Sequence, residues 1–240
     1  MENLRRLGGE AGLVAGIATA WVFLGFVFIF PTAGLDFVDQ INPHRYLPFI
    51  TKHQALVWTV HILGGLLSAM GAAVLFAALQ DRFNGNGSGI VKLGAGAGLF
   101  GAGTLAAAVL VRQAGFDALS SLYATNVVGG AHAFYALRGV VHSLESLSAL
   151  ATGVGILVIG RVMVTEKKYA TVGQMSVIVG VVMAFAAFAS HVLLFMVSAL
   201  GMIAWLIWTS LTLRAEVGPA YISRWFVPKK RRANGVRRAA

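Results

Sequence analysis

Long apolar runs separated by short polar stretches dominate the chain. The runs cover roughly 11–33, 55–79, 90–111, 138–164, 172–195 and 198–214, each close to the about 20 residues (range about 17–25) that a helix needs to cross bilayer hydrocarbon. The breaks are of two kinds. "QDRFNGNGSG" at 80–89 and "RVMVTEKKYA" at 161–170 read as short turns, whereas 34–54 and 112–137 are longer connecting segments. The stretch 173–213 is interrupted only by His191 and is far too long for one span, so a reversal is expected near "MVSALG" at 196–201, where Ser198 and Gly201 accept a turn. The pattern predicts an all-α, polytopic membrane protein with six transmembrane helices.

Composition agrees with that solvent. The chain is 58% hydrophobic and 12% charged, with a mean hydropathy of +0.77, against about 45–50% apolar and about 25% charged residues in soluble domains. A formal charge of +10 would suggest nucleic acid in a soluble chain, but here the placement of the charges decides and no nucleic-acid partner is expected. No cysteine is present, which excludes disulfides and thiolate metal sites. "MENLRRLGGE" has a basic start, but the apolar run after it is too long for a cleaved signal and lacks a small-x-small site, so the first span is expected to be retained.

Lys and Arg set the orientation, because they accumulate in cytoplasmic loops. Arg5, Arg6, Arg82, Lys92, Arg161, Lys167, Lys168 and the whole basic tail fall on one side of a six-span map, leaving only Arg45, Lys52, Arg112 and Arg138 on the other. Both termini are therefore expected in the cytoplasm, with 34–54 and 112–137 as outer segments of a transmembrane domain over 1–214. Residues 215–240 form a basic tail in which Lys229, Lys230, Arg231, Arg232, Arg237 and Arg238 are suited to anionic lipid or a partner surface, at about 1 kcal/mol per charge. The plasma (cytoplasmic, or inner) membrane is the expected location. The outer segment 34–54, with prolines at 43 and 48, is expected to cap the outer face.

All six histidines fall on the outer half of this map: His44, His53, His61, His132, His142 and His191. His61 and His142 lie inside spans, each opening a Val-His step on a helix that runs inward. Gly64, Gly65, Ser68 and Ala72 share the His61 face; Glu145, Ser146, Ala149 and Gly153 share that of His142. Small residues mark close helix approach in membranes, so both imidazoles are expected to face the bundle. Aligning 53–112 with 132–193 suggests a duplicated helical hairpin, the second and third spans repeating as the fourth and fifth, with the two histidines across the repeat axis.

Three readings follow for the pair. His61 and His142 can ligate one haem b or another tetrapyrrole such as chlorophyll near the outer face. They can form a metal site with Glu145, which stands three residues from His142. Or they are packing residues. Di-haem membrane cytochromes carry two histidines on each of two helices, so one haem is the most this chain suggests. Glu145, the one acidic residue deep in a span, is expected to pair with His142 or Arg138 and is a candidate proton relay.

The remaining features read as packing. "GAGAGLFGAG" at 94–103 follows no strand and marks close helix contact rather than a phosphate loop. "WVFLGFVFIF" in the first span reads as a lipid-facing or partner-facing helix without ligands, and Trp205, Trp208, Trp225 and Phe226 as an inner aromatic belt. No nucleophile-base set or HExxH pattern points to hydrolysis. The function expected is a non-catalytic membrane subunit of a bioenergetic or electron-transfer complex, bound to other membrane subunits. A small transporter or channel, and a membrane metalloenzyme, remain the alternatives.

Overall fold

The computed structural model describes residues 2–85, 88–188 and 192–217, and within them the secondary structure is helical throughout. The first rod is α1 (Glu2–Leu24), continued by a π-helical turn (Gly25–Ile29) and a last turn, Phe30–Thr32. A 3-10 turn (Val38–Ile41) leads into a short helix, α2 (Pro43–Lys52). The next rod, α3, comprises Gln54–Trp58, a π segment Thr59–Gly64 and Gly65–Phe83. Then follow α4 (Ser88–Thr125), α5 (Val127–Val164), α6 (Ala170–Ala186) and α7 (Val192–Val217).

Five of these rods are long and apolar enough to cross a membrane, α6 being the shorter exception. Its 17 residues span about 25 Å at 1.5 Å per residue, short of the roughly 30 Å of hydrocarbon. The break before α7 comes earlier than 196–201. Helix α6 tightens through bonds from Ala187 N to Met183 O and from Phe188 N to Phe185 O, both 3.1 Å, and α7 resumes at Val192. Ser198 does not turn the chain, because its hydroxyl donates back to Phe195 O at 2.8 Å. Gly201 lies where α7 packs on Val179 of α6. His191 lies outside the described residues.

The second departure is at 112–137, which is helix rather than irregular connection. Helices α4 and α5 have 38 residues each, about 57 Å at 1.5 Å per residue, and reverse at Asn126 alone. The Asn126 side chain caps α5 by accepting from Gly129 N at 2.9 Å. Each helix of the hairpin is therefore longer than a 30 Å hydrocarbon layer is thick.

Each rod packs on the next in sequence, and α7 returns to α1, so the six close into a bundle. The start of α1 and the end of α7 meet at one end, where Gly9 of α1 sits against Arg214 and Ser210 of α7; this is the terminal end, and the α4–α5 turn marks the distal end. Where "GAGAGLFGAG" crosses α5, a Cβ on Gly155 would come within 2.7 Å of Gly98 N, and Ser148 Oγ donates to Gly101 O at 2.8 Å. Gly94, Gly98 and Gly101 serve helix contact, whereas Gly96 and Gly103 have nothing within 4 Å of a Cβ.

The core has two parts. In the terminal half Phe76, Ile156, Ile159, Met163 and Trp205 are buried together. Trp205 is not an interfacial belt residue. It packs 5.5 Å from Phe76 and donates its indole N–H to Ser176 Oγ at 2.8 Å, satisfying a polar group that burial would otherwise penalise. Trp208 is partly exposed; Trp225, Phe226 and the basic tail residues Lys229 to Arg238 lie outside the described residues. In the distal half Phe30, Leu47, Val57, Val60, Phe116 and Phe134 form a second core. Helix α2 contributes Tyr46, Leu47, Phe49 and Ile50 to it and packs on α4 and α5.

At the terminal end the helices are tied by charge. Arg82 of α3 donates Nη2–H to Glu166 Oε2 at 2.7 Å and Nε–H to Glu216 Oε2 at 2.8 Å, and Lys168 Nζ is 3.8 Å from Glu216 Oε1. Arg5 Nε donates to Asp81 Oδ2 at 3.1 Å. Tyr169 is fully buried beside Arg82, its ring 5.3 Å from the guanidinium carbon, and burial holds its phenol well above the ordinary range.

Candidate functional site

Of the ionisable residues that the sequence singles out, the distal core encloses His61. His61 sits in the π segment of α3 and is 2% exposed. The π segment in α1 lies alongside: a Cβ on Gly25 would come within 2.5 Å of Val60 Cγ1, so glycine lets the two irregular turns meet. That approach lays Phe26 on His61, with ring centroids 5.0 Å apart and planes 22° apart. Phe30 meets the imidazole edge-on at 5.7 Å, and Phe116 flanks it at 6.3 Å. π turns insert a residue into a helix and often accompany functional sites; here they aim a histidine into an aromatic box.

The polar contacts of His61 are sparse. The Tyr46 hydroxyl lies 3.5 Å from Nε2, and Nδ1 has no partner. Tyr46 is itself buried, edge-on to Phe116 at 5.2 Å; burial pushes its phenol far above the ordinary range, opposed in part by the Arg112 charge. Arg112 of α4 donates Nη2–H to Glu145 Oε1 of α5, and its guanidinium carbon is 5.9 Å from the Phe26 ring centre.

Several sequence-derived expectations are corrected by this arrangement. His61 does face the bundle, and Gly64, Gly65, Ser68 and Ala72 beside it are all buried. His142 is exposed, so the structure does not bring the two imidazoles together. The buried stripe of α5 runs through Phe134, Val141, Ser148 and Gly155, seven residues apart, and His142 stands one residue, about 100°, off it. Glu145 pairs neither with His142 nor with Arg138 but with Arg112 across the hairpin. Arg138 is exposed and makes no hydrogen bond or ion pair among the described residues. The first span is not bare of site residues, since Phe26 and Phe30 wall the histidine.

A haem held between His61 and His142 does not fit these residues: one ring is boxed by phenylalanines and the other is exposed. The metal set His61, His142 and Glu145 is likewise dispersed, and among the described residues no group of three His, Asp or Glu stands close enough to hold an ion. Of the other histidines, His53 packs on Phe49 at 4.6 Å, His132 is exposed, and His44 Nδ1 shares a 2.8 Å hydrogen bond with the Tyr123 hydroxyl.

What the site can do follows from its chemistry. A buried imidazole, a buried phenol and a carboxylate held by arginine form a polar cluster beside Phe26 and Phe116, tying α1, α2, α3, α4 and α5 together. Sequence reasoning missed Tyr46 and Arg112. The usable signal for Arg112 was its depth: a carboxylate inside a span needs a cation at its own level, and Arg112 ends the preceding span. Comparison with models of protein families, with characterised proteins and with solved structures finds no match.

Proposed function

We propose that this chain is a non-catalytic, multi-pass subunit of a larger membrane assembly of the bioenergetic or electron-transfer kind, with its distal end outward. The observation that carries the proposal is the α4–α5 hairpin. Both helices outrun the bilayer, and the projecting end exposes Leu122, Val127 and Val128. Apolar side chains carried beyond the hydrocarbon are a cost unless another protein covers them. The buried His61 and Tyr46, with the half-buried Arg112–Glu145 pair, then serve as the base of the hairpin, holding it for a neighbouring subunit. No tetrapyrrole is part of this proposal, because the ring that would bind it is already enclosed.

Native electrophoresis after mild solubilisation tests it. The chain is expected in a band that carries redox-active subunits, and Val128→Asp should release it from that band while leaving the isolated protein folded. Migration as a monomer in both forms overturns the reading.

A second reading, a small transporter, draws on one observation. Arg82, Glu166 and Glu216 close the terminal end, while the distal end carries an open cleft. Proteoliposomes of the wild-type chain that dissipate a proton or solute gradient, with Arg82→Gln changing the rate, would favour it over the subunit reading.

A further inference from the structure

Independently of either functional reading, the distal cleft has the chemistry of a binding site. It is an open cleft of about 550 Å³ beside α2 and α5, lined by Val38, Asp39, Ile41, Asn42, His44, Tyr135 and Arg138. We propose that this cleft binds an oxyanion carried on an apolar stem, as in the headgroup region of an anionic phospholipid.

The charge argument starts from Arg138. It is a permanent cation with five N–H donors in a planar fork suited to phosphate or carboxylate, and no acceptor among the described residues engages it. The other arginine at this end that enters the bundle, Arg112, is already committed to Glu145. The acidic group at the cleft, Asp39, is answered by Arg45 Nε at 3.4 Å, so the carboxylate does not satisfy Arg138.

Two neighbours add donors. Asn42 uses its side-chain oxygen to accept from His44 N at 3.0 Å, capping α2, which leaves the amide N–H groups free for a ligand. His44 is held by Tyr123 through Nδ1, which leaves Nε2 as the second ring atom. The rest of the lining includes exposed apolar surface: Val38 is 74%, Ile41 48% and Tyr135, one turn before Arg138 on α5, 55% accessible. A cation and amide donors interleaved with aliphatic and aromatic surface select an amphiphile over a bare ion. A lipid headgroup and a soluble amphiphilic anion share this chemistry, and the test separates them.

The test uses the full chain purified in a neutral detergent. Binding of short-chain (dihexanoyl) phosphatidylglycerol is measured by calorimetry beside dihexanoyl phosphatidylcholine, glycerol phosphate and hexanoate, for wild type, Arg138→Lys and Arg138→Gln. Arg138 lies on an exposed face, so both variants should melt at the wild-type temperature. The lipid reading expects phosphatidylglycerol to bind at least tenfold more tightly than phosphatidylcholine. It also expects tenfold or greater weakening in Arg138→Gln, a smaller loss in Arg138→Lys, and no binding of glycerol phosphate. Hexanoate binding as tightly as phosphatidylglycerol, with the same dependence on Arg138, assigns the cleft to a soluble amphiphilic anion. Affinity unchanged in Arg138→Gln, or glycerol phosphate binding equal to the lipid, overturns the proposal.

Discussion

At the scale of residues, the Arg112–Glu145 pair shows how a membrane interior tolerates charge. Each partner alone costs about 2.5–3.5 kcal/mol at the centre of a span, yet neither is alone. Removing one partner should cost more than removing both. Arg112→Met leaves an unpaired carboxylate and is expected to destabilise the bundle by about 3 kcal/mol, at the low end of the range for buried pairs, because the Glu145 side chain keeps 35% of its exposure. The double variant Arg112→Met/Glu145→Leu should recover most of that loss in thermal melts. A double variant as unstable as the single one would mean that the pair itself, not its pairing, holds α4 to α5. The pair also marks the reach of sequence reasoning. That Glu145 needs a partner was legible; that the partner comes from the preceding span was not, because 112–137 reads as irregular chain and Arg112 as its first outer charge. His61 and His142 give the same lesson about direction. Small residues along one face identify the inward side correctly for His61. In α5 the inward side is set by a seven-residue stripe through Val141 and Ser148, and the neighbouring position points out.

At the scale of elements, close approach is governed by where glycine is required and where it is incidental. A Cβ on Gly101 would collide with Thr152 Oγ1 and lie 2.7 Å from Thr152 N, so α4 and α5 would have to separate. Gly96 and Gly103, on the same helix, have nothing within 4 Å of a built Cβ. Gly103→Ala should therefore be neutral or slightly stabilising, since alanine is the better helix former by up to about 1 kcal/mol. Gly101→Val should cost about 1–3 kcal/mol as an overpacked contact. Equal melting temperatures for the two variants would refute the distinction. Most rods were legible as apolar runs with polar ends. The π turns at Gly25–Ile29 and Thr59–Gly64 were not, because no residue type specifies them; they arise where two helices must bring Gly25 against Val60. The boundary between α6 and α7 was also misplaced, since serine and glycine within 196–201 have helical uses that the sequence alone does not separate from turn-forming ones.

For the whole molecule, among the described residues, the terminal end carries the ionic ties, the start of α1 and the end of α7, while the distal end carries the capping helix and the α4–α5 turn. Lys and Arg crowd the terminal side, the side on which the loop-charge rule expects the cytoplasm. The absence of native cysteine makes a direct check simple. Cysteines introduced as Asn84→Cys and Thr125→Cys, both at exposed positions, should react with an impermeant maleimide from opposite faces of the membrane. Thr125→Cys should label in intact cells and Asn84→Cys only after permeabilisation; the reverse pattern would invert the map.

The order of packing has a bearing on biogenesis. Because α3, α4, α5 and α6 each dock on the rod made just before, a nascent chain can settle them one at a time as they leave the ribosome. The seam between α1 and α7 is different: Gly16 waits for Ile207 and Gly9 for Arg214, and those residues are synthesised after α6. Until then the flank of the first helix is an open berth, available to lipid or to an insertase. A translation intermediate stalled at Phe188 should crosslink through a probe at Gly16 to such a holding factor, and release of the finished chain should erase that adduct. Assembly of this bundle is thus completed by its final helix, whose arrival closes what the first one left open.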